Sequence, residues 1–81
     1  MNNPFTRSGQ NSSGTPLSIG AAVRHARRSH GLTQTQLAGL AGTGLRFISE
    51  LERGKPSVAL DRTLAVLAVL GLRVQVSAAN P

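Results

Sequence analysis

The stretch 31–55, GLTQTQLAGLAGTGLRFISELERGK, contains two amphipathic segments separated by a glycine-rich turn. Thr33 precedes Gln36 by three residues, which is the spacing of a capping box and predicts a helix start. This helix is predicted to end at Gly42, and a second one to run from Gly44 or Leu45 to Arg53. The turn is Gly42-Thr43-Gly44, in which Gly42 can adopt a positive φ.

Two more helices are predicted outside this stretch. The residues from Leu17 onward carry apolar side chains at helical spacing, with Ser18 as the cap and Gly31 as the end. A fourth helix is predicted from about Leu60 to Leu70 and is apolar nearly all round, which predicts burial on two sides. Residues 17–71 are therefore expected to form an all-α bundle that contains a helix-turn-helix unit.

The two ends of the chain have different compositions. Residues 1–16 are rich in Asn, Ser, Gly, Thr and Pro and are predicted to be a disordered arm. Residues 72–77 alternate apolar and polar side chains, which predicts a strand, and 78–81 form a short tail. Because a strand needs a ladder partner, we expect a homodimer, or else a cover formed by residues 4–6. The predicted dimerisation residues are Val69, Leu72, Val74 and Val76.

Charge and composition restrict the class of partner. The 81 residues contain nine Lys plus Arg and three Asp plus Glu, a net charge of +6, which favours nucleic acid first and an anionic membrane surface second. His25 and His30 lie on different helical faces and no cysteine is present, so we expect neither a metal site nor a cofactor. No nucleophile has a credible base nearby, so no catalytic residue is expected. The longest apolar run, LAVLAVLGL at 64–72, is too short for a bilayer, which favours a cytoplasmic protein.

The second helix of the predicted unit is the one that enters the major groove of DNA, and its N-terminal positions face the base edges. Arg46 is the principal candidate because arginine can bond guanine O6 and N7 together, although a phosphate contact or a solvated charge remains open. Glu50 is expected to pair with Arg46 or Arg53, and Phe47 to pack in the core or to lie near the groove. The base-reading set is Gly44, Leu45, Arg46 and Ser49, and the phosphate-binding set is Gln34, Thr43, Arg53 and Lys55.

The motifs LTQTQLA (32–38), ISELERGK (48–55) and LAVLGLRVQV (67–76) occur in this order. Together they resemble the Xre or lambda-repressor-like helix-turn-helix family, and more closely its HipB-type antitoxins, over about residues 17–77. The resemblance implies a DNA-binding core of four to five helices, a short dimerising β-strand, autorepression of an operon and a HipA-like kinase toxin as partner. It also implies a backbone-contacting role for Gln34 and a structural ion pair between Arg27 and Glu52.

The favoured function is a sequence-specific DNA-binding repressor of the bacterial cytoplasm and nucleoid. A two-fold dimer is expected to read an inverted-repeat operator in double-stranded DNA, with half-site centres about 10 bp or a multiple apart. The antitoxin of a toxin-antitoxin operon is the preferred form of this function. A stand-alone regulator and a protein-binding module without DNA specificity are the alternatives.

Overall fold

The computed structural model describes residues 15–79. These residues form four α-helices, which are Pro16–Ser29 (α1), Gln34–Ala41 (α2), Leu45–Glu52 (α3) and Leu60–Val69 (α4). The fold is all-α and contains the predicted helix-turn-helix, formed by α2, the turn and α3. The predicted fold class is therefore confirmed.

Helix α1 begins one residue earlier than predicted, and Ser18 is not its cap. The N-cap is Thr15, whose Oγ1 accepts a hydrogen bond from the Ser18 backbone N–H at 3.0 Å, while Ser18 Oγ accepts from the Thr15 N–H at 3.2 Å. Pro16 follows the cap, where its fixed φ suits a helix start. Thr15 and Pro16 thus belong to α1 rather than to the predicted arm, and the remainder of that arm, residues 1–14, lies outside the described residues.

The turn between α2 and α3 forms as the sequence predicts. Thr33 Oγ1 accepts from the Gln36 N–H at 3.0 Å, and Gln36 Oε1 accepts from the Thr33 N–H at 2.9 Å, which completes the capping box. Gly42 ends α2 in the left-handed region at φ 71°. Helix α3 is one residue shorter than predicted, because Arg53 is its C-cap rather than its last residue.

Each of the four helices contributes apolar side chains from one of its faces to the core. Val23, Leu37, Ile48 and Val66 are fully buried, and each such side chain contributes about 1.5 to 3 kcal/mol on burial. Phe47 is half-buried and packs against this cluster, so it takes the core position of its two alternatives. The apolar side chains of α3 are thus held in the core, and this determines which residues of α3 face outward.

Helix α1 contacts the end of α3 at close range. A Cβ on Gly20 would lie 2.4 Å from the Leu51 carbonyl oxygen and 2.8 Å from that of Glu52. Only glycine allows this approach of the two backbones. The C-terminal turn of α3 is therefore held directly by the backbone of α1.

The C-terminal part differs from the sequence-based expectation. Leu60 is 71% exposed and Leu64 and Val69 are also exposed, so α4 is buried on one side only in the single chain. Residues 72–79 carry no regular secondary structure, and the predicted strand at 72–77 is not formed. A strand requires ladder hydrogen bonds to a neighbouring strand, and residues 15–79 of one copy contain no second strand that could provide them.

Candidate nucleic-acid interface

Helix α3 has one buried face and one free face. Ile48 and Leu51 point into the core, whereas Leu45 and Arg46 in the first turn of the helix are exposed. The Arg46 side chain is 91% exposed, the freest of the ion-paired cations among the described residues. Gly44, the N-cap, has no side chain and leaves the beginning of α3 accessible. Three of the predicted base-reading residues, Gly44, Leu45 and Arg46, are thus exposed at the beginning of α3, while Ser49 is half-buried further along it.

A carboxylate on the same surface contacts two basic side chains. Glu50 Oε2 accepts from Arg46 Nε at 3.3 Å, and Glu50 Oε1 accepts from Lys55 Nζ at 3.4 Å. Lys55 is brought back to Glu50 by the left-handed Gly54, after which the Lys55 N–H donates to the Glu50 carbonyl at 3.1 Å. The sequence indicated a partner for Glu50 at helical spacing but did not indicate Lys55, which follows the helix.

Two of the other predicted DNA-contacting residues, Ser49 and Arg53, form a hydrogen bond with each other. Arg53 Nη1 donates to Ser49 Oγ at 2.6 Å, so Arg53 does not pair with Glu50. Thr43 is half-buried in the turn, where its Oγ1 lies 3.5 Å from the Gly44 carbonyl oxygen. The Ser49 hydroxyl therefore already accepts a hydrogen bond from a cation.

The structure brings Arg27 and Glu52 together in a two-pronged ion pair. Arg27 Nε donates to Glu52 Oε2 at 2.6 Å and Nη2 donates to Oε1 at 3.0 Å, with the side chains only 10% and 3% exposed. Arg27 Nη1 also donates to the Leu32 carbonyl, and Gln34 Nε2 donates to Glu52 Oε1 at 3.1 Å. Gln34, a predicted phosphate ligand, thus lies at the start of α2 with its amide nitrogen bonded to this pair.

Both carboxylates of α3 ionise more readily than an ordinary glutamate. Burial opposes ionisation of Glu52, but hydrogen bonds from Arg27 and Gln34 and the charges of Arg27 and Arg24 outweigh it and lower its pKa. Desolvation likewise opposes ionisation of Glu50, and its contacts with Lys55 and Arg46 lower its pKa. The hydrogen bond to Glu52 raises the pKa of Arg27 against the effect of burial. Glu50, Glu52 and Arg27 are therefore all charged at neutral pH.

Two basic residues near α2 were not among the predicted ligands. Arg24 and Arg28 of α1 line a shallow groove together with the first residues of α2 and with Leu45, Ser49 and Arg53 of α3. The sequence shows only that they fall off the apolar stripe of α1. Their position beside α2 and α3 depends on how α1 packs, which the spacing alone does not determine. We call this surface the basic groove.

The predicted dimerisation residues lie at the end of α4 and in the segment that follows it. Val69, Val74 and Val76 are exposed in the single chain, Val76 to 94%, and Leu72 is half-buried against the core. An apolar groove lies between residues 72–75 and the beginning of α1, where Ile19 and Ala22 line it.

No set of three or more His, Cys, Asp or Glu side chains between residues 15 and 79 is placed to hold a metal ion. Over the same range, no helix has the length and apolar content needed to cross a bilayer.

Comparison with known proteins agrees with this geometry. A family model described as helix-turn-helix matches residues 23–76. The chain is 48% identical over 64 residues to the uncharacterized HTH-type transcriptional regulator y4mF of Sinorhizobium fredii, covering 79% of this chain and 84% of that protein. Its fold is similar to the crystal structure of the clp gene regulator ClgR from Corynebacterium glutamicum, with a TM-score of 0.63 and 33% identity. That match covers 70% of this chain and 61% of the ClgR chain, so the chain spans less than two thirds of that regulator.

The fold and the exposed face of α3 define a DNA-binding transcription regulator. The chain belongs to the Xre-like helix-turn-helix family.

Proposed function

We propose that the chain is a sequence-specific repressor that reads DNA through the N-terminal half of α3. The exposed guanidinium of Arg46, on a helix whose other face is held by the core, carries this proposal. Glu50 engages only Nε of Arg46, which leaves two terminal nitrogens for guanine O6 and N7. Gly44, Leu45 and Ser49 complete the base-facing set, with Leu45 placed to meet a thymine methyl group.

Phosphate contacts are proposed to flank this reading surface. Gln34 lies at the N-terminus of α2, where free amide donors and the helix dipole favour an anion. Thr43, Arg53 and Lys55 lie at the two ends of α3, and Arg24 and Arg28 extend the same basic groove. Such contacts set the register of the protein on DNA without reading sequence.

Arg46→Ala tests the reading role, with Arg62→Ala on α4 as a control that removes the same charge from another exposed position. Binding is measured by gel shift on the DNA upstream of the chain's own coding sequence and on a shuffled duplex of equal composition. Arg46→Ala is expected to lose about 1 to 3 kcal/mol of discrimination per half-site and to keep salt-dependent binding. Equal losses in both variants, or an Arg46→Ala chain that still prefers its own DNA, would contradict the proposal.

A homodimer is the proposed DNA-binding unit. Val74 and Val76 are exposed in the single chain, and the adjacent groove beside α1 is apolar, as a surface covered by a second copy should be. Pairing of the segments 72–77 of two copies would provide the missing ladder hydrogen bonds and bury Val69 and Leu72 further. A two-fold pair would present α3 twice to an inverted-repeat operator.

The double variant Val74→Asp/Val76→Asp tests the dimer, because neither side chain belongs to the core. Sedimentation velocity should show a single copy with unchanged helical content, and operator binding should weaken strongly. Ala78→Asp/Ala79→Asp, at exposed positions just after the segment 72–77, is the matched control and should remain dimeric. A wild-type chain that sediments as one copy at micromolar concentration would refute the dimer but not the reading role of Arg46.

The finer proposal is that this repressor is the antitoxin of a HipBA-like operon in the bacterial cytoplasm, associated with the nucleoid. The likeness of its C-terminal motif to HipB-type antitoxins supports it, as do the exposed Leu40, Leu60 and Leu64, which offer apolar surface to a partner. Co-expression with the neighbouring reading frame is the test. A kinase-like product that arrests growth alone and co-purifies with this chain would establish the antitoxin, and its absence would favour a stand-alone regulator.

A further inference from the structure

We propose that Glu50 is a specificity-determining residue: it positions Arg46 for base reading and withholds Arg46 and Lys55 from indiscriminate phosphate binding. This inference rests on the proposed function. It differs from a cytosine-accepting role, in which Glu50 itself would touch DNA.

The first observation is the order of exposure among the three side chains. The Glu50 side chain is 19% exposed, against 91% for Arg46 and 47% for Lys55. The carboxylate is therefore less accessible to a duplex than either of the cations that it pairs with. This arrangement suits a group that acts through its neighbours rather than one that contacts a base.

The second observation is that Arg46 contacts Glu50 through Nε and not through a terminal nitrogen. Glu50 Oε2 accepts from Nε at 3.3 Å, while the two terminal nitrogens have no hydrogen-bond partner among the described residues. A guanidinium held by its Nε presents these terminal nitrogens together, and guanine O6 and N7 require this paired presentation. Holding a long side chain before binding also reduces the entropy lost on binding.

The third observation concerns charge. The carboxylate of Glu50 lies within 3.3 Å of Arg46 Nε and 3.4 Å of Lys55 Nζ and offsets part of their positive charge, so it competes with every phosphate for these two cations. This competition weakens binding to any duplex. Guanine O6 and N7 are neutral acceptors, so the charge of Glu50 weakens their hydrogen bonds with Arg46 less than it weakens contacts with a phosphate anion, and the penalty falls mainly on incorrect sequences.

Glu50→Gln keeps the side-chain size and removes the charge. Asp61→Asn is the matched control, because Asp61 is an exposed carboxylate on α4 that bonds the neighbouring Arg62 N–H and none of the α3 cations. The probes are a duplex that the wild-type chain selects from a random-sequence pool and a shuffled duplex of the same composition.

In Glu50→Gln, affinity for the shuffled duplex is expected to rise about twofold to fivefold, the range that weak exposed ion pairs allow. The salt dependence of this binding should steepen by about 0.9 for each extra phosphate neutralised. Affinity for the selected duplex should change less, so the ratio of the two affinities falls. Both effects should vanish in an Arg46→Ala/Lys55→Ala background, which a merely structural role of Glu50 would not predict.

Three results would overturn the inference. Equal effects of Glu50→Gln and Asp61→Asn would mean that only net charge matters. A loss of affinity for the selected duplex with no gain on the shuffled one would mean that Glu50 reads a base. An unchanged affinity ratio would remove the specificity role while leaving the proposed function intact, whereas a wild-type chain that selects no sequence would refute the proposed function itself.

Discussion

Glu50 and Glu52 stand two residues apart on α3, and each is bound by an arginine and by a second polar side chain, yet they lie in opposite surroundings. Glu52 is 3% exposed and receives a two-pronged contact from the buried Arg27, while Glu50 contacts the exposed Arg46 through one nitrogen. The distances differ accordingly, 2.6 Å for the buried pair and 3.3 Å for the exposed pair.

On one short helix, the buried pair therefore has a structural role, while the exposed pair belongs to the surface proposed to read DNA. A buried pair cannot exchange partners, because a lone buried charge is costly, so Arg27 and Glu52 attach α1 to the end of α3. An exposed pair is weak and costs little to rearrange, which suits the proposed base-reading role of Arg46. The buried pair thus holds the C-terminal end of α3 against α1, while Arg46 near the beginning of α3 stays exposed.

The largest expected effect is on the free energy of unfolding, when the carboxylate is removed from the buried pair or from the exposed pair. Glu52→Ala leaves Arg27 buried without its carboxylate and should lower the free energy of unfolding by about 3 to 5 kcal/mol. Glu50→Ala, the matched control on the exposed side, should change it little. Urea titration followed by circular dichroism measures both.

If Glu52→Ala fails to fold, the double variant Arg27→Met/Glu52→Leu keeps the comparison testable. Apolar residues of similar volume remove the unpaired charge, so this variant should regain much of the lost stability. Equal stability of Glu50→Ala and Glu52→Ala would contradict the distinction between the pairs.

An intermediate effect is expected where α1 meets the buried end of α3. Gly20→Ala places a Cβ 2.4 Å from the Leu51 carbonyl oxygen, which should force the helices apart and cost about 1 to 3 kcal/mol of unfolding free energy. Gly39→Ala on α2 has nothing within 4 Å and should stabilise by about 0.5 to 1 kcal/mol through helix propensity. The same urea titration measures both, and changes of equal sign at the two glycines would count against the close approach of α1 and α3.

The smallest expected effect is the acid dependence of stability. The pKa of Glu52 is lowered in the folded chain, so its contribution is present above the ordinary glutamate pKa of about 4.3 and is lost as pH falls through the lower folded value. Glu52→Gln should therefore reduce the difference in unfolding free energy between about pH 6 and about pH 3. Glu50→Gln should reduce it less, since solvent screens the exposed pair. A larger reduction in Glu50→Gln would reverse the comparison.

Much of the fold is accessible from local sequence because its signals are local. The capping box at Thr33 and Gln36 and the helix-ending glycines at 31 and 42 act within one turn of helix, and the structure has them where they were predicted. The beginning of α1 was misplaced because Ser18 is a good cap residue in its own right and occupies the third position of a box capped by Thr15. The strand at 72–77 was expected from its alternation, but alternation specifies a strand only when a second strand is present.

Sequence alone determined that the chain is an all-α, basic helix-turn-helix protein, because periodicity, caps and turns depend on residues a few positions apart. Tertiary structure decided which charges are buried and which remain free. Glu50 and Glu52 have the same chemistry and nearly the same position along the chain, and only the packing of α1 against α3 gives one a buried arginine and leaves the other at the surface. The addition of Arg24 and Arg28 to the basic groove has the same origin, since burial and proximity across helices are set by the packing of the whole bundle.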